Sequence, residues 1–299
     1  MRRFVTKPIW WWETRRPYPI RERVFHLPAT SVNSGRAVTL AVLTTPRTAN
    51  NAAWTFYSIL SNLTTPVNLQ LIVDGQLSEK RNVQLRTLFP GLTFSSTHDH
   101  LTRLAVEAPA LLKLAETHPM AGKMAAILDL QSRTHLLFSD DDVLAFQPLV
   151  ELDAAIADGV SMALYLRDSA AGSVQEEPSI KSGLQKLGLN WLKDINVGLM
   201  LIPKAALNVA LCEKILLASP PVATWFPDTM LLAALLAKVP SQVLPGSSYV
   251  VSTQRQFYHE ADVKYEQITL RHFVSPVRHL MYLRGMPHLI ESIRTNLGQ

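Results

Sequence analysis

The chain has 299 residues, 47% hydrophobic and 18% charged, a composition that can bury a sizeable core and excludes a disordered protein. Arg2, Arg3, Lys7, Arg15, Arg16, Arg21 and Arg23, set against Glu13 and Glu22, account for the whole net charge of +5. The rest of the chain is neutral, so no broad basic surface is expected and nucleic acid is not an expected partner.

The first stretch, residues 1–36, reads as a basic arm rich in Arg, Pro and Trp without a sustained helical period. Trp10, Trp11 and Trp12 either pack as part of this arm or form an interfacial patch for peripheral membrane contact. The N-terminus lacks an apolar core of the signal-peptide kind, and the apolar stretch 230–239 is too short to span a bilayer. A cytoplasmic location is therefore expected. The single cysteine, Cys212, excludes an internal disulfide framework and lies in an apolar run that suits a core residue.

From residue 37 the pattern is regular, and 37–299 reads as one domain. Residues 37–43 (AVTLAVL) predict a buried strand and 50–63 a helix. Residues 68–73 (NLQLIV) predict a second strand ending at the turn signal Asp74-Gly75. A helix over 78–89 follows, with Ser78 as N-cap, then a short strand at 92–95. Residues 104–130 are mostly helical with an interruption near His118-Pro119, and 134–138 (THLLF) predict the next strand. A helix ends near Asp158-Gly159, a strand spans 161–165, and 169–181 reads as a loop placed to serve as a lid. Alternating strands and helices predict an α/β domain with a mixed, mainly parallel sheet flanked by helices.

The strongest chemical signal is LLFSDDDVLAFQPL, residues 136–149. Three consecutive carboxylates after an apolar strand repel one another and resist desolvation, a penalty that a bound Mg²⁺ or Mn²⁺ removes. In an extended chain Asp140 and Asp142 share a face while Asp141 points elsewhere. The other reading is an acidic turn or helix N-terminus, where Asp caps well.

The apolar strand, this D-x-D and the residues after it resemble the metal motif of GT-A glycosyltransferases. Further stretches occur in the order that fold uses. Residues 37–45, ending in Thr44 and Thr45, resemble the first strand and turn that meet the nucleotide, and Asp74 ends the second strand, where base or ribose is contacted. NVGLMLI, residues 196–202, resembles the N-x-G-x-M-x-I strand of family 8-like enzymes, and Pro227-Asp228 the acidic turn after it. His272-Phe273 and Arg278-His279 resemble the C-terminal segment that supplies a metal-binding histidine and a basic residue for phosphate. The lysine and tryptophan that follow the C-terminal glycine in family 8 are absent, so the superfamily is implied more firmly than the family.

The resemblance implies transfer of a sugar from a nucleoside-diphosphate sugar, UDP-linked by preference, to a hydroxyl of a glycan, lipid-linked or small-molecule acceptor. It implies Mn²⁺ or Mg²⁺ on Asp140, Asp142 and His272, and donor contacts from Thr44, Thr45, Asp74, Lys123, Asp141, Gly198 and Arg278. Asp228, as base or positioning group, and Asn196, toward a sugar hydroxyl, are the candidate catalytic residues, and the N-x-G-x-M pattern leans to a retaining enzyme. Each also has a plainer reading: Asp228 as a helix cap, Lys123 as a solvated lysine, Gly198 as a packing glycine. A nucleotidyltransferase is one alternative, although residues 44–52 (TTPRTANNA) offer no glycine to cradle phosphate. A non-catalytic nucleotide- or glycan-binding protein on the same scaffold is the other.

Overall fold

Side-chain alternation along the first strand decides the layering. In β1 (Val38–Thr44), Leu40 and Val42 pack into one buried cluster with Trp54, Phe56 and Phe89. Ala41 turns to the opposite cluster, which contains Met124, Ile127 and Phe138. The strand is thus buried on both faces, which is why it reads as a near-continuous apolar run. The computed structural model describes residues 18–30, 37–168, 177–222, 227–251, 264–274 and 277–296.

After β1 come α1 (Ala49–Asn62), β2 (Asn68–Val73), α2 (Glu79–Leu88), β3 (Thr93–Ser96), α3 (Thr97–Leu104), α4 (Pro109–Ala115), α5 (Met120–Arg133) and β4 (His135–Asp140). The chain continues through β5 (Val143–Ala145), α6 (Val150–Ala157), β6 (Ala163–Arg167), α7 (Pro178–Lys186), β7 (Ile195–Ile202), α8 (Val209–Ala218) and α9 (Pro227–Leu236). It ends in β8 (Ser241–Val243), β9 (Tyr249–Val251), β10 (Leu270–His272) and α10 (Arg278–Leu280), with the π-helical turn Met281–Gly285 leading into α11 (Met286–Asn296). The main sheet has the order β3-β2-β1-β4-β7-β6-β8, and β5-β10-β9 form a second, small sheet. The first four strands are mutually parallel, and β7 alone runs against its neighbours β4 and β6. The sheet is therefore mixed and mainly parallel, as the sequence pattern predicts.

Ser78 caps α2 by accepting from the Arg81 amide at 3.4 Å. The predicted helical stretch 104–130 falls in three helices, with the expected interruption at His118-Pro119 between α4 and α5. The first starts earlier, at Thr97, because Ser96 and Asp99 form a reciprocal capping box, a signal in the sequence that the apolar periodicity hides. His100 on α3 is fully buried, with Nε2 2.8 Å from Ser95 Oγ and Nδ1 2.6 Å from Asp129 Oδ2. Arg103 and Arg133 donate to the same carboxylate oxygen, so the line ties β3 and α3 to α5.

The predicted strand over 161–165 lies two residues later, in β6. Of the predicted loop at 169–181, residues 169–176 lie outside the described residues. The remainder enters α7, where Glu177 accepts from the Ile180 amide at 2.7 Å. Trp10, Trp11 and Trp12 also lie outside the described residues. Residues of the arm that are described form the 3₁₀ turn Pro19–His26 against α1, with Arg21 donating to Asn51 Oδ1 and Trp54 donating to the Arg21 carbonyl. Among the described residues no helix is long and apolar enough to cross a membrane.

Candidate metal and donor site

Parallel strands end on one edge of the sheet: β1 at Thr44, β2 at Val73, β3 at Ser96 and β4 at Asp140. Because β7 is antiparallel to β4, its first residues, Ile195 and Asn196, reach that same edge. Ligands of open α/β sheets collect there because the loops leave a crevice beyond the strand ends.

β4 stops at Asp140, and the chain turns through Asp141 and Asp142 into β5. The turn sends the three carboxylates to different partners. Asp140 faces Lys123, whose Nζ lies 2.9 Å from Oδ1 and 3.0 Å from Oδ2. Asp141 is buried and accepts from Thr44 Oγ1 at 2.7 Å, with Thr48 Oγ1 3.1 Å behind that hydroxyl. Asp142 is gripped by Arg278, whose Nε and Nη2 both donate to Oδ2.

His272 arrives from far along the chain through backbone pairing. β10 runs antiparallel to β5 with His272 opposite Val143, and the Phe273 amide donates to the Asp142 carbonyl at 2.7 Å. Its Nε2 lies 3.0 Å from Asp142 Oδ1. One ligand atom each from Asp140, Asp142 and His272 lies within 4.8 Å of the others. Asp142 Oδ1 is buried and has no partner other than the His272 nitrogen, so a cation held between the two would replace that contact. Two carboxylates and an imidazole fit Mn²⁺ well and Mg²⁺ through the carboxylates.

Electrostatics follow from burial and pairing. Burial pushes the Asp141 carboxyl up to about 6, against the pull of Arg278. Burial would also raise Asp142, but Arg278 and His272 outweigh it and hold that carboxyl far below the usual range. Lys123 is buried, which alone would lower its pKa, yet Asp140 and Asp228 carry the net direction upward. Asp228, near the start of α9, is raised by burial despite Lys123 at 3.6 Å. Its Oδ1 is buried without a hydrogen bond.

The edge thus gathers Thr44, Lys123, Asp140, Asp141, Asp142, Asn196, Asp228, His272 and Arg278 into one connected cluster. Thr45 lies apart, exposed and bonded to Thr48. Asp74 is exposed at the end of β2 and accepts from Thr97 Oγ1 at 3.1 Å. Beside it opens a cleft of about 470 Å³ lined by Val73, Gly75, Phe94, Ser96 and Asp99, among others. None of the clustered acids lines that cleft.

Gly198 meets His272: a Cβ there would sit 2.2 Å from Nδ1, so the imidazole occupies the space a side chain would need. Asn196 Oδ1 is 2.8 Å from the same nitrogen. The sequence reading missed Thr48 and the bond from Asn51 to Tyr282 Oη at 3.0 Å, behind Arg278. No spacing rule marks them, because each is recruited by packing alone.

No family model matches the sequence, and no curated protein matches it. Solved structures do share its fold. The bifunctional glycosyltransferase WbbM superposes with a TM-score of 0.55 at 13% identity, over 88% of this chain and 52% of its own. This chain therefore spans about half of that protein. The galactosyltransferase LgtC, solved in complex with donor and acceptor sugar analogues, gives a TM-score of 0.54 at 14% identity, over 85% of this chain and 95% of its own. An active-site mutant of LgtC gives 0.52 at 14% identity, over 79% of this chain and 87% of its own. At such identities the likeness is one of architecture: the chain has the GT-A fold of these glycosyltransferases, with a D-x-D at the end of β4.

Proposed function

We propose that the chain transfers a glycosyl group from a nucleoside-diphosphate sugar to an acceptor hydroxyl. The convergence of Asp140, Asp142 and His272 on the strand-end edge of a GT-A sheet carries this reading. Mn²⁺ or Mg²⁺ held by these three residues would stabilise the negative charge of the departing diphosphate. Lys123 and Arg278 add fixed positive charge on either side of the carboxylates, each held in place by a partly buried ion pair. Asp228 stays close to Lys123 with one oxygen unbonded, which suits a group that accepts from or orients the incoming hydroxyl. The nucleoside would lie along the ends of β1 to β3, by Asp74 and the adjoining cleft.

On this reading residues 37–299 form the transferase domain and 1–36 an arm. The preferred donor is a UDP-sugar and the preferred outcome retention, as the resemblance of residues 196–202 suggests. A glycan, a small molecule or a lipid-linked sugar would serve as acceptor, the last with the Trp-rich arm at a membrane surface in the cytoplasm.

The test is a screen of UDP-, GDP- and CDP-sugars with Mn²⁺, Mg²⁺ or EDTA, reading diphosphonucleoside release and sugar incorporation. Turnover of one donor that EDTA and the double variant Asp140→Ala/Asp142→Ala abolish supports the proposal. Metal-dependent nucleotide binding without turnover on any acceptor supports a binding protein instead. Absence of both defeats the reading.

A further inference from the structure

We infer that Arg21, Asn51 and Tyr282 are positioning residues for Arg278, so that the 3₁₀ turn of the arm takes part in the donor site. The inference deepens the proposed function, since it rests on Arg278 meeting the donor diphosphate.

Arg278 needs outside support. It opens α10, a helix of only three residues whose N-cap, Val277, has no polar side chain to cap it. A turn so short does not hold itself, and tertiary contacts must fix it. Val277 and Met281 are fully buried and set its depth, but apolar contact is not directional. Direction comes from Tyr282, four residues on and about one turn along the same segment, which makes it a neighbour of Arg278 on the surface of that segment. Burial pushes the Tyr282 hydroxyl up, and Arg21, Asn51 and Arg278 pull against it, so both guanidinium groups lie within electrostatic reach of it.

Tyr282 is clamped by the arm. Arg21 Nε donates to Asn51 Oδ1 at 3.1 Å, and only the oxygen of a carboxamide can accept. The amide nitrogen therefore faces Tyr282 and donates to its Oη at 3.0 Å. Asn51 is fully buried, so losing either bond would leave a polar group unpaired. The Arg21 guanidinium also sits 5.3 Å from the centre of the Tyr282 ring, and the Tyr18 ring centre lies 4.8 Å away. Arg21 is itself tied down twice: Nη2 donates to the Arg47 carbonyl at 2.7 Å, and Trp54 donates to the Arg21 carbonyl at 3.1 Å. Beyond Tyr282 the segment presses on the small sheet at Gly285, where a Cβ would lie 2.9 Å from Leu144 Cδ1 and from Phe273 Cζ. The arm through the Tyr282 side chain, and the sheet through Gly285, together keep the Arg278 guanidinium on Asp142 Oδ2.

The test uses the full chain and two variants, Arg21→Ala and Tyr282→Phe, the second keeping the ring and removing only the hydroxyl. Without donor or metal, ¹⁵N relaxation of the Arg278 Nε–Hε signal, assigned by its loss in Arg278→Lys, should show a rigid side chain in the wild type. Both variants should make it mobile. With donor, each should lower kcat by about 10-fold with KM little changed, since a misplaced cation fails mainly on the charge that develops in the transition state. In an Arg278→Gln background the same changes should cost nothing further. An Arg278 signal as rigid in the folded variants as in the wild type would overturn the inference, as would an equal loss of kcat in the Arg278→Gln background. The relaxation is read without donor, so a wild type that turns over no sugar would defeat the glycosyltransferase reading while the roles of Arg21 and Tyr282 were still decided.

Discussion

Lys123 places its ammonium 2.9 Å from Asp140 Oδ1 and 3.6 Å from Asp228 Oδ2 while only 4% of the residue is exposed. A buried cation between two carboxylates compensates both, and removing it leaves two like charges without a partner. Lys123→Met should destabilise the fold by about 3–5 kcal/mol, read as a lower urea midpoint at unchanged slope. Mn²⁺ should then recover more stability in the variant than in the wild type, because a bound cation replaces the lost charge. An unchanged midpoint with no added metal response would show that the carboxylates do not depend on Lys123.

Arg278 holds Asp142 Oδ2 and keeps that carboxyl ionised. Arg278→Gln removes the guanidinium charge and the Nη2 donor but keeps an N–H donor at the position of Nε. The expected loss is about 10²-fold in turnover, the scale of one electrostatic contact to developing charge. Steady-state kinetics across Mn²⁺ concentrations check this. Full rescue by excess metal would limit Arg278 to holding Asp142.

Asp228 lies 3.6 Å from the Lys123 ammonium and is not among the three clustered metal donors. Asp228→Asn should lower turnover by about 10²–10⁴-fold, the usual range for a general base, with Mn²⁺ affinity little changed. Calorimetry and single-turnover rates separate the two. Equal losses of both would assign Asp228 to the metal site.

Asp129 offers a test of stability away from the site. Burial favours its neutral form, but hydrogen bonds from His100 and Arg103 and the charge of Arg133 hold its pKa below the ordinary value. A depressed carboxylate stabilises the fold fully above the unfolded pKa near 4, and the contribution disappears as pH falls through the folded value. Asp129→Ala should cost about 1–3 kcal/mol at neutral pH by leaving the buried His100 unmatched. Its stability should also fall less steeply than wild type below a pH of about 4. Parallel acid curves for the two proteins would remove Asp129 from the acid response.

Much of the sheet was readable from side-chain pattern. NLQLIV begins and ends β2 at the predicted residues, because alternation and the Asp74-Gly75 turn act within a few bonds. The helix α3 escaped notice for the opposite reason. Its sequence, THDHLTRL, has only two apolar residues, Leu101 and Leu104, and it forms where Ser96 and Asp99 cap it and His100 finds Asp129. Likewise, the chain was expected to run extended through Asp140 and Asp142, yet it turns there. Asp141 still points away from the pair, toward Thr44.

By itself the sequence determined that a cluster of carboxylates ends an apolar strand in an α/β domain, since strand period, turn residues and like-charge repulsion are local properties. Only the tertiary structure decided which groups answer those carboxylates. Lys123 meets Asp140 because α5 packs beside β4; His272 meets Asp142 because β10 pairs with β5; and Asn196 meets His272 because antiparallel β7 starts at the same edge of the sheet. Those contacts depend on burial and backbone pairing between distant segments, and no spacing within one segment encodes them.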